Sequence, residues 1–372
     1  MDVPPQRVEA TVAERMAPYI EDFEYLMSRF DSNYAIFSAL YRISGFNLTQ
    51  VAQGMREELH ERANAETWSF FVFRHFLQNN IFNPIAPYNF QHFFLLTVSM
   101  DELYDLFNRE TLAYMPNNLQ MEILEDGHIA YISIASFFVG YEQEANEGDL
   151  LLNFFEEISD FGHLIIDIRN NTGGYPTYYF NNVFAPLVSR HYAIRAYIFA
   201  SEGTKFLLEE HRYYNPLVEG EYEVNWVGIS AVSEIMPLNG FTLPYLNPDD
   251  LQFLDYYVYS YIFVNPMFDT PLFDGKIWIL INRNNFSAGE HFARVAKEIE
   301  LGTLVGEPTG GHVGRVWGSF IELPNTGIVV EMDEPYKTDA YGRFFEEIPV
   351  VPHIEASDPL QAVLDFIGAG NY

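Results

Sequence analysis

The chain has 372 residues, 48% of them hydrophobic, enough for one large domain plus a smaller one or for two of modest size. Acidic side chains outnumber basic ones by 52 to 20, and the formal charge of −32 disfavours nucleic acid and anionic lipid surfaces as partners; no Lys/Arg-rich run makes a local exception. The absence of cysteine removes disulfides, thiolate metal sites and a cysteine nucleophile.

No stretch approaches the ~18 uninterrupted apolar residues that cross a bilayer. The opening "MDVPPQRVEA" has neither the basic start nor the apolar core of a secretion signal. The chain is therefore read either as cytoplasmic or as the mature part of an exported protein with a start Met supplied. An aromatic fraction of 17% predicts a bulky core or aromatic clefts, and composition does not separate the two.

Up to about residue 110 the pattern is helical. In "ERMAPYIEDFEYLMSRF", Ile20, Phe23, Met27 and Phe30 fall at helical spacing, and "LTQVAQGMREELHERA" and "ETWSFFVFRHFLQ" follow. "SMDELYDLFNRE" opens with Ser99 and Glu102 in capping-box spacing. The Pro and Asn content of "NNIFNPIAPYNFQHFFLL" predicts a loop between those last two helices.

Strands begin near residue 118. "LQMEILEDGHIAYISIASF" reads as a hairpin around Asp126-Gly127. Then come a helix in "EGDLLLNFFEEISD", an apolar strand in "HLIIDIRN" ending in the turn "NNTGG", and a helix in "YPTYYFNNVFAPLVSR". The strand "GKIWILIN", the turn "RNNF" and the helix "SAGEHFARVAKEI" repeat that unit, and "GTLVGEP" adds a short strand. Alternation of this kind predicts an α/β fold, a sheet covered by helices. The aromatic stretch at about 190–270 fits strand or helix equally and is read as an elaboration of the core.

Ser287 stands on the second strand-to-helix turn. Ser-x-x-Glu before the apolar stripe Ala288, Phe292, Val295 and Ile299 is a capping box, and on this stretch alone capping is the better reading. A nucleophilic serine needs more: a base, something to orient it, and donors for an oxyanion. The first helical turn leaves backbone N–H groups free for that purpose, and Gly173 and Gly174 in the other turn let backbone approach a ligand closely. Two such turns at the C-terminal ends of neighbouring strands face one edge of the sheet, where α/β sheets form ligand crevices.

Four motifs in order carry a resemblance. "LIIDIRNNTGG" is similar to an L-hydrophobic-x-D-x-R-x-N-x-G-G signature, and "FSAGEHFARVAKEIELGTLVGEPTGG" to a nucleophile region with Glu three residues after Ser and then VGE-x-T-x-G. "IELPNTGIVVEM" and "EEIPVVPHIEA" resemble the strand and the acidic segment that follow. The family resembled is the C-terminal processing (tail-specific) serine peptidases, including the catalytic core of tricorn protease, over about residues 118–368. The resemblance implies a crotonase/ClpP-like sheet covered by helices, with a helical domain over 1–115, a peptidase core over 116–372, and the aromatic insertion at about 190–270 within that core. Ser287 would be the nucleophile. The amides of Gly173 and Ala288, with Gly174 beside them, would hold the oxyanion and the substrate.

The sequence departs from the processing branch at the base. That branch has Lys 25 residues beyond the serine, where this chain has His312, and Lys297 on the nucleophile helix is read as solvated. The tricorn branch draws a His from the helical domain and a Glu near the C-terminus. The matching positions here are His92 in "YNFQHFFLL" and Glu346, six residues before Pro352. Either His92 or His312 could accept the serine proton. Thr172 stands where the family often has Gly or Pro, and His353 replaces an Asp on what is read as scaffolding.

No segment of PDZ length separates the helical domain from the hairpin, so a PDZ domain is not expected. The remaining histidines (His60, His75, His163, His191, His211, His291 and His353) show no metal-ligand spacing, and neither metal nor cofactor is expected. The expected partner is a peptide or protein substrate. By analogy with the family, the chain is placed outside the cytoplasm, secreted or lipid-anchored. Two rivals stand beside this reading. One is an inactive relative that binds an apolar ligand or peptide. The other, further off, is a glycoside-acting enzyme, which would need two carboxylates about 5–10 Å apart across a cleft.

Overall fold

The computed structural model describes residues 11–31, 34–62, 69–85, 94–96, 99–106, 108–214, 230–311, 320–331 and 336–370. The strands in chain order are β1 Phe94–Leu95, β2 Leu119–Glu125, β3 Ile129–Ile134, β4 His163–Asp167, β5 Tyr192–Ala200, β6 Ser230–Val232 and β7 Met236–Pro237. After them come β8 Tyr256–Val264, β9 Lys276–Ile281, β10 Thr303–Gly306, β11 Phe320–Glu322, β12 Val329–Glu331, β13 Tyr336–Asp339 and β14 Ile354–Glu355.

The central sheet has the order β14-β10-β9-β4-β3-β2. All its pairs are parallel except β2/β3, the hairpin whose turn uses Gly127 at φ 65°. β4 is buried along its whole length and β9 from its second residue, which is why both read as unbroken apolar runs. One face packs against the helices Tyr141–Glu157 and Ala288–Glu298 and the helical stretch that starts at Pro176. The other face takes Ile165, Trp278, Leu280 and Val305 against Val363 and Ile367 of the helix Pro359–Gly368. The sheet-and-helix architecture expected from the sequence is the one observed.

The aromatic stretch that sequence left open forms a second sheet, β13-β5-β8-β6, with β7 also on β8, all antiparallel. Its inner face joins the N-terminal helices. Phe23, Phe30, Phe73 and Phe82 share one core with Tyr197, Phe199, Tyr336 and Phe344. The short sheet β1-β12-β11 adds Ile321, Ile328 and Val330 to that core.

The stretch expected as a loop behaves differently. The helix Phe70–Leu77 runs on through a π-helical turn, Gln78–Phe82, and a last turn, Asn83–Ile85. The asparagines bond back along the helix, Asn80 Nδ2 to Phe76 O at 2.9 Å and Asn83 Nδ2 to Asn79 Oδ1 at 2.9 Å, instead of starting a turn. Burial of Ile81, Phe82 and Ile85 outweighs the local turn preference. Of the rest of that expected loop, residues 86–93 lie outside the described residues and Phe94–Leu95 form the strand β1.

Two buried carboxylates fasten the N-terminal helices to distant chain. Asp22 accepts from the backbone N–H groups of Asn325 and Thr326, each at 2.8 Å, at the tip of the β11/β12 hairpin. Asp250, fully buried, is paired in a two-pronged contact with Arg42 and accepts from Tyr336 Oη at 2.8 Å. Arg42 also reaches Glu347 at 3.0 Å. Arg42→Met strands the Asp250 carboxylate without its cation, and the expected cost is about 3–5 kcal/mol, read from urea unfolding of the two proteins.

Candidate active site

β4 and β9 are parallel neighbours, so their C-terminal ends deliver two turns to the same edge. Asparagines lace the turns together. Asn170, at φ 66°, receives Asn282 Nδ2 at 3.1 Å and Asn284 Nδ2 at 2.8 Å, and its own N–H donates to Asn282 Oδ1 at 3.1 Å. The buried Asn285 donates to the carbonyls of Ile168 and Asn171, and the buried Asn171 donates to Ile134 O at 3.1 Å on β3. A carboxamide offers donor and acceptor on one short arm and tolerates left-handed backbone, so it suits such a junction.

Ser287 sits at φ 51°, ψ −121°. A non-glycine residue held there costs about 1–3 kcal/mol and marks a position over-determined by its surroundings. Those surroundings are the Phe286 N–H on Asn171 O at 3.4 Å, the Gly289 N–H on Phe286 O at 2.8 Å and the Gly310 N–H on Asn285 O at 2.9 Å. The capping box expected from Ser-x-x-Glu does not form. The Ser287 side chain makes no cap bond. Glu290, fully buried, turns instead to Arg294 Nη2 at 2.9 Å and the Gly311 N–H at 3.2 Å. Burial raises the Glu290 carboxyl above its ordinary range, against the pull of Arg294. The Ser287 hydroxyl is left half-buried, with no hydrogen-bond partner among the described residues.

Gly173 and Gly174, at φ 114° and 131°, bring the first turn against the serine. A Cβ on Gly173 would lie 2.8 Å from both the Ser287 Cβ and the Ala288 nitrogen; one on Gly174 would lie 2.1 Å from Phe137 backbone. Among the described residues the N–H groups of Ala288 and Gly174 have no partner, whereas that of Gly173 donates to Asn171 Oδ1 at 2.9 Å. Ser287, Ala288 and Gly173 therefore meet at one point, with Gly174 next in the chain against the Phe137 backbone.

Glu346 lies in a turn that packs against the helix Ala288–Glu298. Arg294, on that helix, stacks 4.7 Å over the Phe345 ring and donates to Ile348 O at 2.7 Å. His92 and His312 lie outside the described residues. Lys297 is tied to Val351 O at 2.7 Å, and His353 exchanges bonds with Leu304 on β10 as scaffolding.

Sequence reading passed over His291. It lies four residues beyond Ser287, and that spacing was the signal available. Its Nδ1 meets Tyr179 Oη at 2.5 Å, and burial, with Arg294 and Lys337 near, lowers its pKa to about 3.

A serine on a sharp strand-to-helix turn, with free backbone N–H groups beside it on an α/β sheet, is an arrangement that serine hydrolases use. Residues 128–356 match the profile of peptidase family S41. The chain belongs to that family and is a serine peptidase acting on peptides or proteins. No curated protein sequence matches it. Solved structures similar to it include a candidate peptidase from Parabacteroides merdae, at 17% identity, TM-score 0.58 and 95% coverage of both chains. Mature CPAF is similar at 13% identity and TM-score 0.58, with 93% of both chains covered. A lipoprotein from Streptococcus agalactiae aligns at 15% identity and TM-score 0.51, covering 99% of this chain and 98% of that one. At such identities the likeness is one of fold. Among the described residues no helix is long and apolar enough to cross a membrane.

Gly173→Ala drives a methyl into the serine turn, and casein hydrolysis by the variant is expected to fall on the order of 100-fold. The His291 imidazole has a folded pKa of about 3 against 6.5 for the free side chain. The unfolded chain therefore binds the extra proton first. The stability this group contributes is complete above about pH 6.5 and is lost as pH falls toward 3. Glu290, raised by burial, acts with the opposite sign. Urea midpoints of His291→Gln are expected to fall less steeply than the parent's across that window.

Proposed function

We propose that Ser287 is the nucleophile of this peptidase. The observation that carries the reading is a serine held at positive φ with its hydroxyl unused, beside an unpaired Ala288 N–H and in contact with Gly173. A helix cap would have spent that hydroxyl. His92, the histidine that the family resemblance points to, takes the serine proton as Oγ attacks the scissile carbonyl. The tetrahedral oxyanion sits on the N–H groups of Ala288 and Gly174; the Gly173 N–H expected in that role is taken up by Asn171 Oδ1, and Gly173 instead brings the turn into range. His92 then protonates the leaving amine, and water, activated by the same imidazole, hydrolyses the acyl-enzyme. Glu346 orients the base, and its place on a turn packed against the nucleophile helix supports that role. His312 is the alternative base.

The subtype we infer is the tricorn-core type without a PDZ domain, because the residue at the processing-branch lysine position is His312. An extracytoplasmic location is supported by the family analogy and by the fold shared with a lipoprotein. The reading as an apolar-ligand carrier is the weaker one, since it gives no reason to hold Ser287 in a strained backbone.

Labelling with a fluorophosphonate serine probe tests the assignment. Wild type and His312→Ala are expected to label, and Ser287→Ala and His92→Ala to fail, with casein hydrolysis down on the order of 10⁴-fold in Ser287→Ala. Labelling lost in His312→Ala and kept in His92→Ala moves the base to His312. A folded wild type that does not label returns Ser287 to a structural role.

A further inference from the structure

His291 is a titratable side chain of the helix Ala288–Glu298 that the reaction above does not use. Its backbone N–H closes the first helical turn on Ser287 O at 2.9 Å. A helical side chain leans back over the preceding turn, so the imidazole lies over the turn that carries Ser287. Tyr179 and Phe180 flank it, their ring centroids 6.2 and 6.0 Å from its own. Both belong to the helical stretch that begins at Pro176, directly after Gly173 and Gly174.

The hydrogen bond to Tyr179 fixes which imidazole nitrogen carries the proton. Tyr179 is fully buried, and His291 is its one hydrogen-bond partner among the described residues. If Nδ1 donated to the phenol oxygen, the phenol proton would be shut in without an acceptor. The phenol therefore donates to Nδ1, and the ring proton resides on Nε2. The Nδ1 lone pair is thereby occupied, so His291 is unfit as a base for Ser287. Nε2 of the half-buried His291 has no partner among the described residues and is not an enclosed atom, so it is reached by solvent.

A peptidase needs few groups of this kind next to its nucleophile. An uncharged, orientationally fixed donor suits an uncharged acceptor, and in an extended peptide that acceptor is a main-chain carbonyl oxygen. We propose that His291 is a substrate-binding residue whose Nε2–H donates to a backbone carbonyl of the bound peptide, with the fully buried rings of Tyr179 and Phe180 flanking the imidazole. Tyr179 serves it from behind by fixing the tautomer. The inference deepens the serine-peptidase reading and rests on it.

The test measures binding of fluorescein-labelled β-casein by anisotropy in the Ser287→Ala protein, where turnover does not interfere. Adding His291→Leu, which removes both ring nitrogens, is expected to weaken binding roughly tenfold, the loss of one hydrogen bond. Adding His291→Gln, which can accept from Tyr179 and still offers N–H, is expected to stay within about threefold. With Ser287 intact, the fluorophosphonate carries no peptide chain, so His291→Leu should slow its labelling far less than it weakens casein binding. Casein affinity unchanged in His291→Leu, no casein binding by Ser287→Ala, or Gln as damaging as Leu each overturns the proposal. Labelling that falls more than casein binding overturns it too, by placing His291 in proton transfer. If wild type never labels, the Ser287 reading fails while the casein comparison still decides His291.

Discussion

β4 and β9 run side by side, and nothing in their ladder dictates what the chain does once it passes Asp167 and Ile281. The asparagines beyond those ends supply the missing instruction. Asn170, Asn282 and Asn284 bond turn to turn across the edge, while Asn171 and Asn285 bond inward to main-chain carbonyls of Ile134, Ile168 and Asn171. Once the turns are locked, Ser287 has no room for an ordinary helix-capping conformation. Its strained backbone and the close approach of Gly173 follow as consequences of one polar junction. Such a network stiffens a site only when each member is satisfied, and here each carboxamide has a partner.

Much of this was legible in the residues. The two strand-to-helix units, the Asp126-Gly127 hairpin and the Ser99/Glu102 capping box are local signals with local causes, and Glu102 does bond back to the Ser99 N–H at 2.9 Å. The Ser287/Glu290 pair has the same spacing and a different outcome. Glu290 finds Arg294 and the Gly311 amide, partners supplied by tertiary structure that no local pattern announces. The aromatic sheet was illegible for a related reason. β5 pairs with β8 and β13, far away in sequence, and residues such as Tyr257 and Phe199 satisfy strand and helix patterns alike. His291 escaped notice because its meaning depends on Tyr179, 112 residues earlier.

The serine edge is served by more than the central sheet. On one side Arg294 ties the helix Ala288–Glu298 to the turn holding Phe345 and Ile348. On the other, Arg42 reaches the neighbouring Glu347 from the N-terminal helices, beside the stacked rings of Tyr336 and Phe344 at 4.2 Å. Glu346 thus lies on a turn gripped by arginines from two different parts of the chain.

The grip has a consequence for the life history of the molecule. Arg42 and Glu347 are 305 positions apart, and Asp22 and Asn325 are 303 apart. Contacts of such separation form late, after the chain between them has been made and collapsed. A strand-and-turn unit emerging from the ribosome can carry Ser287 while the turn of Glu346 has not yet been synthesised. Because synthesis runs from the first helices to the last turns, the grip of Arg42 on the neighbouring Glu347 can close only after nearly the whole chain has been made.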